Sequence, residues 1–211
     1  MALARRVYER ERSKGVTMLD RLEILVEEPS MAEVLRGLLP GILPNGWELD
    51  VNCFIRPHEG KQDLQRSLPH KLAAACKKNI KVGFVVLQDQ DSSDCKELKR
   101  RLVGLCEGVL SCGQNVVFKI RIVCHELEAW YLGDINAIER TFPRFHATRF
   151  RNKKLFRNPD NCLNPKAELK RIVGEYPQIA TARDMAANMN IEENVSDSFK
   201  CFIDAILQMT R

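Results

Sequence analysis

Lys81-Val82-Gly83-Phe84-Val85-Val86-Leu87 runs without a break into Gln88-Asp89-Gln90-Asp91-Ser92-Ser93-Asp94. The first part is apolar at nearly every position and rich in β-branched and aromatic residues. A strand with one face in water alternates apolar and polar residues. One that is apolar throughout is covered on both faces, the condition of a strand inside a parallel sheet with helices on either side. The polar run that follows marks the strand's carboxyl end, where open α/β sheets build their sites.

Elements of the same kind lie on both sides of this strand. Upstream, Leu22, Ile24, Leu25 and Val26 form a short apolar strand halted by Glu27, Glu28 and Pro29. Ser30 with Glu33 reads as a capping box, opening a helix over Met31 to Leu39. A second strand is predicted from Trp47 to Ile55, alternating at Leu49, Val51 and Cys53. A helical region then runs from Lys61 to Lys78, interrupted at Pro69. Downstream come a helix from Cys95 to about Leu110, a strand from Val116 to Cys124, and a helix opening over His125 to Tyr131. Strands alternating with helices of this length predict an α/β fold with a parallel sheet and right-handed crossovers. This α/β domain is expected over residues 21–140. Residues 141–211 are expected to be a basic segment and a helical cap on the same domain, with helices near Pro165–Glu175, Gln178–Met189 and Ser196–Met209. Residues 1–20, charged and weakly patterned, read as an extension outside the fold.

Composition narrows the function class. At 211 residues, with 45% hydrophobic and 29% charged residues, the chain has enough apolar side chains for a core and is not a disordered polymer. Its longest apolar runs fall far short of the roughly 20 residues that span a bilayer. The N-terminus is Arg/Glu-rich with no apolar signal region, so a cytoplasmic address is expected. The eight cysteines include no CxxC pair, and they read as free thiols packed as small apolar residues.

Three of the four predicted strands end in acid: Glu27 and Glu28, Asp89 and Asp91, Glu126 and Glu128. Carboxylates gathered on one sheet edge repel one another unless a cation lies between them. Hard divalent cations such as Mg²⁺ or Mn²⁺ match such oxygen donors. The competing reading is that Glu28, Asp94 and Glu128 are ordinary acids at helix N-termini, favoured there by the helix dipole.

Between Thr141 and Pro159 lie six basic residues (Arg144, Arg149, Arg151, Lys153, Lys154, Arg157) and no acidic one. Phe142, Phe145, Phe150 and Phe156 are interleaved with them. This segment is expected to grip a nucleic-acid backbone, with a phenylalanine stacking on a base. The alternatives are that the rings pack into the core, or that the segment docks a protein. Lys61, beside Gly60, is a further candidate phosphate contact.

Four blocks carry a resemblance: Val26-Glu27-Glu28-Pro29-Ser30-Met31, Gly60-Lys61-Gln62-Asp63-Leu64, Asp89-x-Asp91-x-x-Asp94-Cys95 and Glu126-Leu127-Glu128-Ala129-Trp130-Tyr131. In this order they are similar to a bacterial family catalogued as domain of unknown function 4276 and considered Toprim-like, after the topoisomerase–primase domain. The resemblance runs from about Arg21 to Leu207 and implies a Toprim-like mostly parallel sheet. It implies Glu27 as a metal ligand or proton-transfer group, Asp89 and Asp91 as holders of Mg²⁺, and Glu126 or Glu128 as a further ligand. It also implies a metal-dependent nuclease, working beside an ATPase partner in phage-defence or mobile-element systems. Toprim enzymes commonly have Gly after the catalytic Glu, where this chain has Glu28. Two other outcomes stay open: a binding or regulatory subunit that kept the fold without turnover, and a phosphoacceptor domain, which would need a fifth strand ending in Lys.

Overall fold

Strand β1 (Arg21–Val26) shows how the chain is layered. Its residues Leu22, Ile24 and Val26 enter one apolar cluster, and Leu25 between them enters another on the opposite face. Strand β3 (Val82–Asp89), buried at all eight positions, divides likewise: Val85 and Leu87 to the first cluster, Val82, Phe84 and Val86 to the second. The period of two in a strand thus feeds two cores. The structure, a computed structural model, describes residues 18–109 and 115–211. Most of the predicted N-terminal extension, the predicted helix end at Leu110 and Cys112 lie outside the described residues.

With β2 (Cys53–Pro57) and β4 (Val116–Val123), the strands form a four-stranded, all-parallel sheet in the order β2-β1-β3-β4. The register sets Val26 level with Pro57 on one side and Leu87 on the other, and Asp89 level with Val123. The chain passes from β1 to β2 on one side, then crosses back past β1 to reach β3 on the other. The order therefore reverses between β1 and β3, and the crevice beyond their carboxyl ends is where such sheets bind ligands.

Helices α1 (Pro29–Ile42), α2 (Lys61–Cys76) and α3 (Cys95–Glu107) cover the sheet. α1 joins the first cluster; α2 and α3 join the second through Leu64, Leu68, Leu72, Leu98 and Leu102. The chain continues through α4 (Glu128–Leu132), α5 (Ile135–Thr141) and the short α6 (Lys154–Arg157). It ends in α7 (Pro165–Val173), α8 (Gln178–Asn188) and α9 (Asp197–Met209). The C-terminal helices share the first cluster with α1 through Leu169, Ala182, Met185, Phe199, Phe202 and Ile206, so they complete the layer over that face of the sheet. α8 lies along α1 so closely that a Cβ on Gly37 would come 2.5 Å from the Ala186 Cβ. Among the described residues no helix is long and apolar enough to cross a membrane.

The structure departs from the expected elements where turn chemistry or burial outweighs local pattern. α1 starts at Pro29, one residue before the expected cap. Its N-cap is Glu28, and Ser30 donates its hydroxyl to the Glu28 carboxylate while Glu33 pairs with Arg183. Proline suits this first position, since its φ is already helical and its missing N–H is one the helix leaves unpaired. Most of the predicted second strand is a turn. Asn52 accepts from the Glu48 amide and donates to the Gly46 carbonyl, and Asp50 sits in the left-handed region at φ 63°. α2 runs unbroken through Pro69, its buried Leu64, Leu68 and Leu72 spaced one turn apart.

Candidate functional site at the carboxyl edge of the sheet

β1 and β3 end side by side, so the residues just beyond them meet without any long-range design. Glu27 leaves β1 half-buried, and its Oε2 accepts the backbone N–H of Asp89 at 3.2 Å. Asp89, the last residue of β3, is 8% exposed, and its Oδ1 is buried without a hydrogen-bond partner among the described residues. Buried carboxylate oxygens are ordinarily satisfied, and one that is not needs a chemical reason.

Electrostatics set this edge apart from the rest of the molecule. Burial raises the Asp89 carboxyl well above the usual range, and the neighbouring charges of Glu27, Glu28, Glu128 and Asp91 push it further. Glu27 is raised from 4.5 to about 7, first by burial and then by Asp91, against the opposing pull of the Asp89 N–H and Lys61. Glu128, at the start of α4, is buried and raised mainly by desolvation, while the Tyr176 hydroxyl donates to its Oε1 at 2.8 Å. The Tyr176 hydroxyl is itself driven well above its ordinary range by burial and by Glu128. Glu28 sits beside these groups, its carboxylate engaged by Ser30.

Asp91 stands on the loop after β3 with φ 50°, and His125 opposite it has φ 58°. A hydrogen bond from the Asp91 amide to the His125 carbonyl, 2.8 Å, ties the two loops together. Such left-handed positions are strained for residues other than glycine and cluster at working sites. The Asp91 carboxylate accepts from Lys61 Nζ at 2.8 Å. Lys61 opens α2 directly after Gly60, whose φ of 96° suits glycine and whose amide bonds the Glu27 carbonyl at 2.9 Å. One cation therefore already faces the carboxylates.

Glu27, Asp89, Asp91 and Glu128 thus interact at one edge, with Lys61 against Asp91. Glu126 acts on this group only by repelling Glu128: its carboxylate accepts the backbone N–H of Lys166 at 3.0 Å, at the start of α7, where a helix N-terminus favours an anion. Asp94 is the N-cap of α3, accepting from the Glu97 amide at 2.8 Å, as the helix-end reading of that acid holds. His58 is a buried structural residue between the Val26 carbonyl and Ser67. Among the described residues no three His, Cys, Asp or Glu side chains close around a common point at ligating distance. The donor chemistry nonetheless fits a hard divalent cation. The groups are carboxylates, three of them resist ionisation while uncompensated, and one oxygen lacks a partner among the described residues.

Two participants were missed from the sequence. Glu28 is expected among the strand-end acids and equally as a helix-end charge, but not as a site residue; it is the α1 N-cap and also acts on Asp89. Tyr176 lies 48 residues from Glu128 in a loop with no motif, and nothing in the spacing signals their contact. Burial pushes the Cys53 and Cys106 thiols up to about 12, so they serve as packing groups.

The basic segment is built around aromatic rings. Phe145 stacks on Phe150 at 4.9 Å, and Phe156 lies 6.1 Å and 6.2 Å from the two; Phe142 packs on Tyr176. The expected base-stacking phenylalanine is therefore corrected: Phe145 and Phe156 are buried and Phe142 and Phe150 half-buried, holding the segment to the core. Arg149, Arg151, Lys153 and Lys154 are exposed around them.

No curated protein and no solved structure matches the chain. The family model described as domain of unknown function (DUF4276) matches residues 26–207, from the end of β1 into α9, a span that holds every carboxylate of this edge together with Lys61 and Tyr176. The chain belongs to that family.

Proposed function

We propose that the protein is a Toprim-like, metal-dependent nuclease that hydrolyses nucleic-acid phosphodiesters. The observation that carries this reading is the meeting of Glu27, Asp89, Asp91 and Glu128 at the switch point of a parallel sheet, around a buried Asp89 oxygen without a partner. Asp89 and Asp91, with Glu27, are the residues to hold Mg²⁺ or Mn²⁺, and Glu128 lies next to them. A divalent cation bound there supplies charge compensation for the phosphodiester and lowers the pKa of a coordinated water.

The chain's own groups do the rest. With no cation bound, burial and Asp91 raise the Glu27 carboxyl to about 7, so binding a cation there is coupled to ionising Glu27. Lys61 supplies a mobile positive charge that exchanges Asp91 for a substrate phosphate. Tyr176 keeps Glu128 oriented. The strain at Asp91 and His125 is consistent with a loop held for this purpose. The same reading includes a cytoplasmic setting and an ATPase partner.

The test is a cleavage assay on mixed nucleic-acid substrates with and without Mg²⁺ or Mn²⁺, comparing wild type with Asp89→Asn and Glu27→Gln. Cation-dependent cleavage lost in both variants supports the reading. A wild-type protein that neither cleaves nor binds the cations in calorimetric titration overturns it and favours a binding or regulatory subunit.

A further inference from the structure

We infer that the basic segment 144–157 is a platform for the phosphate backbone of a nucleic-acid duplex, and that it holds double strands in preference to single strands. Six cations stand in fourteen residues, and all six are exposed. None pairs with a carboxylate among the described residues, whereas Arg21, Arg36, Arg56, Lys61, Arg66 and Arg183 elsewhere each do. The exposed Lys96, Lys99, Arg100 and Arg101 also make no ion pair among the described residues, but Glu97 lies among them, whereas no acid interrupts 144–157, and such an uncompensated run attracts a polyanion.

Folding makes a patch of what would be an irregular loop. The rings of Phe145, Phe150 and Phe156 lie within 6.2 Å of one another, and the cations are their chain neighbours. Arg144 precedes Phe145, Arg149 and Arg151 flank Phe150, Lys153 lies over the Phe150 ring at 4.5 Å, and Lys154 and Arg157 bracket Phe156. Asp160 fastens the end of the segment by accepting the Ser198 amide and the Ser196 hydroxyl, both at 2.7 Å. The aromatic knot thus pre-arranges the charges, so little ordering is lost when they meet phosphates.

The choice of duplex follows from where the rings point. Proteins that hold single strands add stacking on exposed aromatic faces, worth about an order of magnitude or more per base. Here the four phenylalanines are turned inward, and among the described residues no aromatic is an exposed large apolar residue. What remains is charge, and a duplex carries twice the linear phosphate density of one strand. Four of the six cations are arginines, whose planar fork suits phosphate oxygens. None of the exposed large apolar residues lies between 144 and 157, so the patch has nothing to insert into a lipid surface.

The platform also stands at a useful distance from the acidic edge. α4 begins at Glu128 and leads to Gly133 and Asn136, which with Arg151, Arg157 and Glu193 line a cavity of about 370 Å³. Arg151 is braced there by a 2.9 Å bond to Asn136. Five helical residues rise about 7.5 Å, roughly two nucleotide steps of 3.4 Å. A backbone seated on Arg151 and Arg157 therefore borders a cavity whose wall at Gly133 is one short helix from Glu128.

This inference rests on the nuclease reading for the class of polymer, and its test is run in EDTA so that binding and cleavage fail separately. Fluorescence anisotropy of labelled 20-base-pair DNA and RNA duplexes, and of their single strands, is measured at 50 to 200 mM KCl. The comparison is wild type against the triple variant Arg149→Gln/Lys153→Gln/Lys154→Gln. With six phosphate contacts the duplex affinity falls about 10³-fold over that range, a log–log slope near −5, and the variant's slope drops by about 3. Tighter binding of either duplex than of its strands supports the inference, and the better duplex identifies the sugar. Single strands bound as tightly as duplex, a slope unchanged in the variant, or binding to phosphatidylserine vesicles with none to nucleic acid overturns it.

Discussion

Replacing Glu27 by Gln should make the cation-free protein more stable, and only above acidic pH. The Glu27 carboxyl is raised from 4.5 to about 7 by burial and by Asp91. A group whose folded pKa lies above its unfolded one stabilises the fold fully below the unfolded value, and that contribution is lost as pH rises through the folded value. For Glu27 the window runs from about 4.5 to about 7, and the 2.5-unit rise corresponds to roughly 3 kcal/mol at 1.36 kcal/mol per unit. Glutamine keeps the shape and can still accept the Asp89 N–H through its carbonyl oxygen, so the exchange removes the charge and little else. Removing that charge also eases the ionisation of Asp89, which Glu27 opposes. Urea unfolding in EDTA should therefore show the two proteins nearly equal at pH 4 and the variant ahead by up to about 3 kcal/mol at pH 8. For a chain of this size that corresponds to roughly 6–12 °C in Tm. Titrations of groups that Glu27 does not influence are common to both proteins and cancel in the difference. Millimolar Mn²⁺ should close the gap from the wild-type side, since a ligand at 100 times its Kd adds about 2.7 kcal/mol. An equal offset at both pH values, or a variant less stable at pH 8, would show that Glu27 is not the strained carboxylate described above.

Tyr176→Phe removes the only hydroxyl donated to the buried Glu128 among the described contacts, and should cost about 1–3 kcal/mol by urea unfolding at pH 8. Protonation relieves the lone carboxylate, so that loss should shrink at pH 4. Gly37→Ala forces a Cβ to within 2.5 Å of Ala186 and should destabilise by about 1–3 kcal/mol in the same assay, with the nucleic-acid salt slope unchanged. Lys61→Gln breaks a pair whose side chains are 51% and 38% exposed, so stability should change by under about 1 kcal/mol while cleavage falls. A large stability loss with unaltered cleavage would remove Lys61 from the site.

How much of this was legible in the sequence depended on whether the deciding contact was local. The strand Val82–Asp89 announced itself because burial on both faces leaves a continuous apolar run, and the acids after β1 and β3 were legible because parallel strands bring their ends together. Pattern alone failed at Trp47–Asn52. Three alternating apolar residues imitate a strand there, while the side chain of Asn52 and the left-handed Asp50 build a turn. It failed again at the glutamates after β4. Glu126 and Glu128 are two residues apart and equivalent on paper. The α7 amide at Lys166 claims the first and Tyr176 the second, and both partners arrive from a region some 40 residues downstream. That division has a consequence for the phenylalanines as well. The first apolar cluster gathers the rings of the basic segment together with Tyr176 and the C-terminal helices: Phe142 packs on the tyrosine that holds Glu128, and Phe145, Phe150 and Phe156 pack on one another. Charge is then the chief property the segment presents to solvent. A single packing event thus fixes the geometry of an acidic residue and the chemistry of the neighbouring surface, which is why neither could be read from its own stretch of sequence.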